Sequence, residues 1–254
     1  MNRLKDQVAI VTGASRGIGQ AIALRFAQEG ARVVVCSRKP DGVAQAEATL
    51  NAAVPDSTWG IPCHVGKEDD LTALFEAVQA RWGTPTVLVN NAGTNPYFGP
   101  MLGAEWSAWD KTFEVNLKGP FAATRLFAQH QLDAGCPGGS VICTSSILGL
   151  RAAPHQGLYG MTKAALISMV KTLALELAPA KIRVNAIAPG FVDTRLSSAI
   201  QDSPELRRQV LAHTPQNRVA TPDEIAGVAA FLASDDASFT TGQCLVADGG
   251  YTIL

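Results

Sequence analysis

Short runs of β-branched and aliphatic residues recur along the chain: VAIVT (8–12), RVVVC (32–36), TVLVN (86–90), SVICTS (140–145), IRVNAIA (182–188) and CLVA (244–247). A weaker one is WGIPC (59–63). They are apolar throughout and do not alternate, which predicts strands buried on both faces of a parallel sheet. Between them lie segments of helical spacing, among them IGQAIALRFAQEG (18–30), DDLTALFEAVQARWG (69–83) and KAALISMVKTLALELAP (163–179). Gly30, Gly83 and Pro179 mark their ends. Alternation of strand and helix over nearly the whole length predicts an α/β fold with a doubly wound sheet, in one domain spanning 1–254. No linker or repeat interrupts it. The least regular stretch, 190–216, is long for a connection and reads as a substrate lid.

Composition narrows the function. The chain has 254 residues, 47% hydrophobic and 17% charged, with a formal net charge of −1. That balance argues against nucleic acid as a partner. No apolar run approaches the ~20 residues of a membrane span. Five scattered cysteines without a C-x-x-C pair, and only four histidines, argue against a disulfide framework and a zinc site. A soluble, cytoplasmic protein without a metal is expected.

The first strand runs into TGASRGIG (12–19). Gly13 permits a tight turn, and Gly17 and Gly19 let a pyrophosphate and the sheet approach the backbone. The N–H groups of the helix that follows, around Ser15, Arg16 and Ile18, would carry the phosphates. A glycine cluster can mark only a turn, but this one stands where a strand of an alternating chain becomes a helix. At the end of the second strand, where dinucleotide folds place an acid for the ribose hydroxyls, the chain has Ser37, Arg38 and Lys39. Arg38 can grip a 2′-phosphate by a forked contact, with Arg16 approaching from the glycine loop. The alternative is a solvated Arg38 balanced by Asp41. NADP(H) is therefore expected, with NAD(H) as the alternative.

In LYGMTKAAL (158–166), Tyr159 and Lys163 are one helical turn apart on one face. A phenol titrates near ~10, and a fixed ammonium beside it favours the phenolate and lowers that value. The pair can exchange protons, or it can be a packed ring beside a solvated lysine.

TGASRGIG, then NNAG (90–93), Asn116 in FEVNLKG, Ser146 in TSSILG, Tyr159-x-x-x-Lys163 and Pro189-Gly190 occur in one order. This ordered set resembles the short-chain dehydrogenase/reductase superfamily in its ~250-residue branch, over essentially the full chain. The resemblance implies a Rossmann fold of about seven strands in the order 3-2-1-4-5-6-7, and a homotetramer or homodimer. It implies Tyr159 as proton donor and acceptor, Lys163 as the residue that lowers its pKa and binds the nicotinamide ribose, and Ser146 as the hydroxyl that orients the carbonyl. Asn116 would hold a water-linked proton path, or be a buried amide fixing backbone. Asn91, Ala92 and Gly93 would lie along the adenosine ribose. Pro189, Gly190, Val192 and Thr194 would cup the nicotinamide. Where the family usually has Asp-Val near adenine, this chain has His64-Val65.

On the substrate side, Asn95, Tyr97, Leu148, Gln156 and Phe191 are the candidate contacts, with Phe98 and Leu150 adding apolar surface and Arg151 and His155 of open role. The NPYFGP wording is similar to NADPH-dependent carbonyl reductases. The expected activity is interconversion of a ketone or aldehyde with an alcohol. Alternatives are an NAD-linked alcohol or hydroxysteroid dehydrogenase, a 3-ketoacyl thioester reductase, and a non-catalytic dinucleotide sensor.

Overall fold

Strands β1 (Val8–Thr12), β2 (Arg32–Ser37), β3 (Thr58–Pro62), β4 (Val87–Asn90), β5 (Gly139–Thr144), β6 (Ile182–Pro189) and β7 (Cys244–Ala247) form one sheet. Its order is β3-β2-β1-β4-β5-β6-β7, and every neighbouring pair is parallel. This computed structural model describes residues 2–135, 138–195 and 203–254. The helices are α1 (Gly17–Gln28), α2 (Pro40–Ala53), α3 (Glu68–Trp82), α4 (Trp106–Phe113), α5 (Gly119–Asp133), α6 (Gly157–Leu177), α7 (Pro204–Ala212) and α8 (Pro222–Ala233).

The lack of alternation in the strands has a direct structural cause. Ala9, Val11, Val33, Val35, Val87 and Val89 pack on one face with Ile22 and Phe26 of α1 and Ile225 and Leu232 of α8. Their neighbours Val8, Ile10, Val34, Cys36 and Leu88 pack on the other face with Phe75 of α3, Phe127 of α5 and Leu166 of α6. Both faces are covered, so both sets are apolar.

Strand β1 pairs with β2 on one side and with β4 on the other. The connections leaving β1 and β4 therefore diverge to opposite faces, and a crevice opens at the carboxyl ends of the strands. Register keeps those ends level, with Thr12 opposite Cys36, Asn90 opposite Cys143 and Pro189 opposite Ala247. Of the lid expected at 190–216, residues 196–202 lie outside the described residues. The remainder contains α7, whose N-cap Ser203 accepts a hydrogen bond from the Leu206 N–H. Among the described residues, no helix is long and apolar enough to cross a membrane.

Candidate active site

A cleft of about 620 Å³ lies over this crevice. Its floor is the junction of β1 and β4. The Thr12 hydroxyl donates to the Val89 carbonyl at 3.2 Å and accepts from the N–H groups of Asn91 and Ala92, both at 3.0 Å. The Asn91 amide returns the contact, donating to the Thr12 carbonyl at 3.0 Å. The two loops are thus stitched together. Gly13 sits at φ +64°, and a Cβ there would lie 2.7 Å from the Ala92 Cα. Only glycine accommodates both the backbone angle and the approach. Thr12 was missed in the sequence reading, although a hydroxyl ending an apolar strand was a visible signal.

The N-terminus of α1 has neither a side-chain cap nor an acidic residue in its first turn. Its N–H groups and dipole suit an anion. Ser15 and Ser37 touch through their hydroxyls at 3.3 Å. Arg16, Arg38 and Lys39 line the same rim and are exposed. Among the described residues none of the three forms an ion pair, and Asp41 does not balance Arg38. His64 is more committed than expected. Its Nδ1 accepts from the Gly66 N–H at 3.0 Å, and its Nε2 lies 3.0 Å from Lys111 Nζ. Both ring nitrogens have protein neighbours, while Val65 lines the cleft beside it. These glycine, amide and cationic groups fit a dinucleotide.

Tyr159 and Lys163 project from α6 into the cleft, 9% and 3% exposed. Lys163 Nζ donates to the Thr144 carbonyl at 2.7 Å and lies 5.4 Å from the centre of the Tyr159 ring. Ser145 and Ser146 take different tasks. Ser145 donates to the Lys163 carbonyl at 2.9 Å, and Ser146 accepts from the Leu148 N–H at 3.1 Å and lines the same cleft as the phenol. The turn Ile147–Gly149 lies close on α6: a Cβ at Gly149 would be 2.7 Å from the Lys163 carbonyl carbon.

The electrostatics run against one expectation. Burial pushes the Tyr159 phenol up to about 12, opposed by the Ser146 hydrogen bond. Burial also pushes the Lys163 ammonium down to about 8, opposed by Cys143. A lowered phenol was expected from the neighbouring cation. Desolvation of the charged form is the largest cause of each shift, and neither group's shift has the other among its causes.

Asn116 is fully buried in a π-helical turn, Glu114–Lys118, between α4 and α5. Its Oδ1 accepts from the Thr94 N–H at 2.8 Å, and its Nδ2 donates to the Thr94 carbonyl at 2.9 Å and to Thr162 Oγ1 at 3.1 Å. It stands behind the cleft and clamps the segment after β4. A Cβ at Gly93 would lie 3.6 Å from Lys163 Nζ and 3.7 Å from Asn116 Oδ1, so the three groups converge.

The cleft takes in the expected cofactor and substrate contacts except Gly19 and Tyr97; Phe98 and Leu150, expected to add apolar surface, are exposed and do not line it either. Gly19 is buried beneath the loop, where an added Cβ would meet the Gly13 carbonyl at 2.7 Å. Tyr97 turns away because its hydroxyl donates to the Pro100 carbonyl at 2.8 Å. Asn95 donates to Gln156 Oε1 at 3.2 Å, and the Gly99 N–H donates to the His155 carbonyl at 3.0 Å. Phe98 stacks on His155 with centroids 5.6 Å apart. The loop after β4 is thereby joined to the loop leading into α6. Thr144, which also lines the cleft, was missed; its Oγ1 is buried without a hydrogen-bond partner. No cluster of His, Cys, Asp and Glu that could hold a metal occurs among the described residues.

A family model described as enoyl-(acyl carrier protein) reductase matches residues 13–252. The chain is 40% identical over 247 residues to the human dehydrogenase/reductase SDR family member 4, covering 97% of this chain and 88% of the relative. It is 42% identical over 248 residues to the short-chain dehydrogenase/reductase SDRA of Arabidopsis thaliana, covering 98% and 95%. Its backbone superimposes on a short-chain type dehydrogenase/reductase from Mycobacterium marinum with a TM-score of 0.93 at 31% identity, covering 99% and 97% of the two chains.

Proposed function

The chain belongs to the short-chain dehydrogenase/reductase superfamily, and on that premise we propose that it is an NADP(H)-dependent oxidoreductase interconverting a ketone or aldehyde with an alcohol. The observation that carries the reading is the meeting of Tyr159, Lys163 and Ser146 in one cleft with the glycine turn and the uncapped N-terminus of α1.

A nicotinamide held in this cleft would supply or accept the hydride. The chain's own residues handle the oxygen and the proton. Ser146 donates a hydrogen bond to the substrate carbonyl oxygen and stabilises its developing negative charge. A phenol held near 12 is protonated at neutral pH, which suits a proton donor in the reductive direction. Once Tyr159 has given its proton to the alkoxide oxygen, the phenolate is met by the Lys163 ammonium and the Ser146 hydroxyl. Asn116 acts behind them, holding Thr94 and hence the segment that borders Lys163.

The cofactor preference rests on Arg16, Arg38 and Lys39, three cations without an internal partner among the described residues. An acidic residue at position 37 would repel a 2′-phosphate; the serine there does not. Self-association as a homotetramer or homodimer is supported by an apolar groove between Trp109, Phe113, Phe121 and Met169, flanked by the exposed Trp106. Scattered free cysteines fit a reducing compartment such as the cytoplasm.

The test is Tyr159→Phe, assayed with NADPH and a ketone panel. Carbonyl reduction should fall by about a thousandfold or more while NADPH affinity stays within twofold. Turnover at the wild-type rate would sink the proton-transfer assignment. Faster reduction with NADH than with NADPH would sink the cofactor assignment.

A further inference from the structure

Four segments far apart in sequence, those of Arg151, Phe191, His213 and Tyr251, meet behind one wall of the cleft. Phe191, which follows β6, lines the cleft. Its backbone is pinned, since its carbonyl accepts from the Ala220 N–H at 2.9 Å and Gly190 N–H donates to Ala247 at 2.9 Å. Its ring meets Tyr251 edge to face, with centroids 5.2 Å apart and planes at 74°. Tyr251 does not line the cleft; it stands behind Phe191.

Tyr251 is itself held from two sides. Asp248 accepts from the N–H groups of Gly250 and Thr252 and from the Thr252 hydroxyl, at 2.9, 2.7 and 2.7 Å, which fixes the turn that carries the ring. Arg151, from the loop after Ser146, donates through Nη1 to the carbonyls of Tyr251 at 3.0 Å and Leu254 at 2.9 Å. Its guanidinium carbon lies 6.0 Å from the Tyr251 ring centre. His213, at the end of α7, packs on the same ring at 6.4 Å. The serine loop, the segment after β6 and the end of α7 each reach Tyr251.

We propose that Tyr251 and Arg151 are positioning residues for substrate selection: Arg151 holds Tyr251, and Tyr251 sets the angle of the Phe191 ring against the substrate. The inference rests on the reading of this cleft as a carbonyl-binding site. Its physical basis is rotamer control. An aromatic side chain on a cleft wall is free to turn unless a neighbour supports its outer face, and an edge-to-face partner supplies that support. Arg151, of open role in the sequence, acts by tying the two walls of the site together rather than by meeting an acidic substrate.

The test compares Tyr251→Ala, Tyr251→Phe, Arg151→Ala and Tyr251→Ala/Arg151→Ala, with acetophenone and NADPH. Tyr251→Ala should raise the KM for the ketone about three- to tenfold, with kcat and NADPH affinity within twofold. Tyr251→Phe keeps the ring and should match the wild type. The double variant should be no worse than Tyr251→Ala alone, because Arg151 acts through Tyr251. An unchanged KM, a Tyr251→Phe loss equal to that of Tyr251→Ala, or a parallel drop in NADPH affinity would each overturn the proposal. A second readout needs no turnover. With Phe191→Trp as reporter, Tyr251→Ala should shift the tryptophan emission to the red and Tyr251→Phe should not; an unmoved spectrum in Tyr251→Ala overturns the inference. If the wild type reduces no carbonyl, the reading of the activity fails, and the fluorescence result alone decides whether Tyr251 sets Phe191.

Discussion

Lys163 and Tyr159 are neighbours that do not share a hydrogen bond: the ammonium is 5.4 Å from the ring centre and donates instead to the Thr144 carbonyl at 2.7 Å. The cation is held by the end of β5, not by the phenol, and burial governs the titration of both groups.

This arrangement fixes a pH dependence. Lys163 is held at about 8, below its ordinary 10.5. In the proposed mechanism, reduction needs the charged lysine and the protonated phenol together. kcat/KM for a ketone should therefore fall as pH rises through about 8, and a profile flat from pH ~6 to ~10 would contradict the assignment. Stability moves the other way in that window. Between about 8 and 10.5 the unfolded chain binds more protons at this lysine than the folded one, so this group's contribution to stability rises with pH. From the ordinary 10 up to about 12, Tyr159 keeps its proton only when folded, so its contribution falls. Urea titrations at stepped pH measure both slopes.

Asn116→Ala removes three hydrogen bonds from a fully buried amide. A loss of about 2–4 kcal/mol in unfolding free energy is expected. A drop in kcat should accompany it, because the Gly93–Thr94 segment that borders Lys163 is no longer held. Thermal melts and steady-state rates on the same sample check the two effects. Retained stability would show that Thr94 finds other partners.

Thr144→Val replaces a buried hydroxyl that has no hydrogen-bond partner by a methyl of the same shape. The variant should be more stable by about 1 kcal/mol, a rise of roughly 2–4 °C in Tm. The backbone carbonyl that accepts from Lys163 is untouched. A lower Tm would mean that the hydroxyl is satisfied in solution.

Arg38→Ala should raise the KM for NADPH by about 10- to 100-fold and leave that for NADH unchanged, since only the former carries a 2′-phosphate. Equal changes for both cofactors would assign Arg38 to the adenosine moiety in general.

Much of this was open to a reader of the chain alone. The strands are continuous apolar runs because both sheet faces are buried, and a one-dimensional pattern records that directly. The glycine turn stands where a strand becomes a helix, Tyr159 and Lys163 stand one helical turn apart, and Ser146 was legible through the family resemblance. Tertiary structure decided what spacing cannot carry. The Tyr159 and Lys163 titrations follow from how deeply α6 is covered, and no local motif encodes depth. Tyr97 left the pocket because Pro100, three residues on, offered its hydroxyl a carbonyl. Thr12, Thr94 and Thr144 matter through partners 19 to 80 residues away. Arg151 could be placed only once the chain had returned, 100 residues later, with Tyr251. Local chemistry is written residue by residue, whereas burial and long-range partners exist only after the sheet has closed the distance between segments.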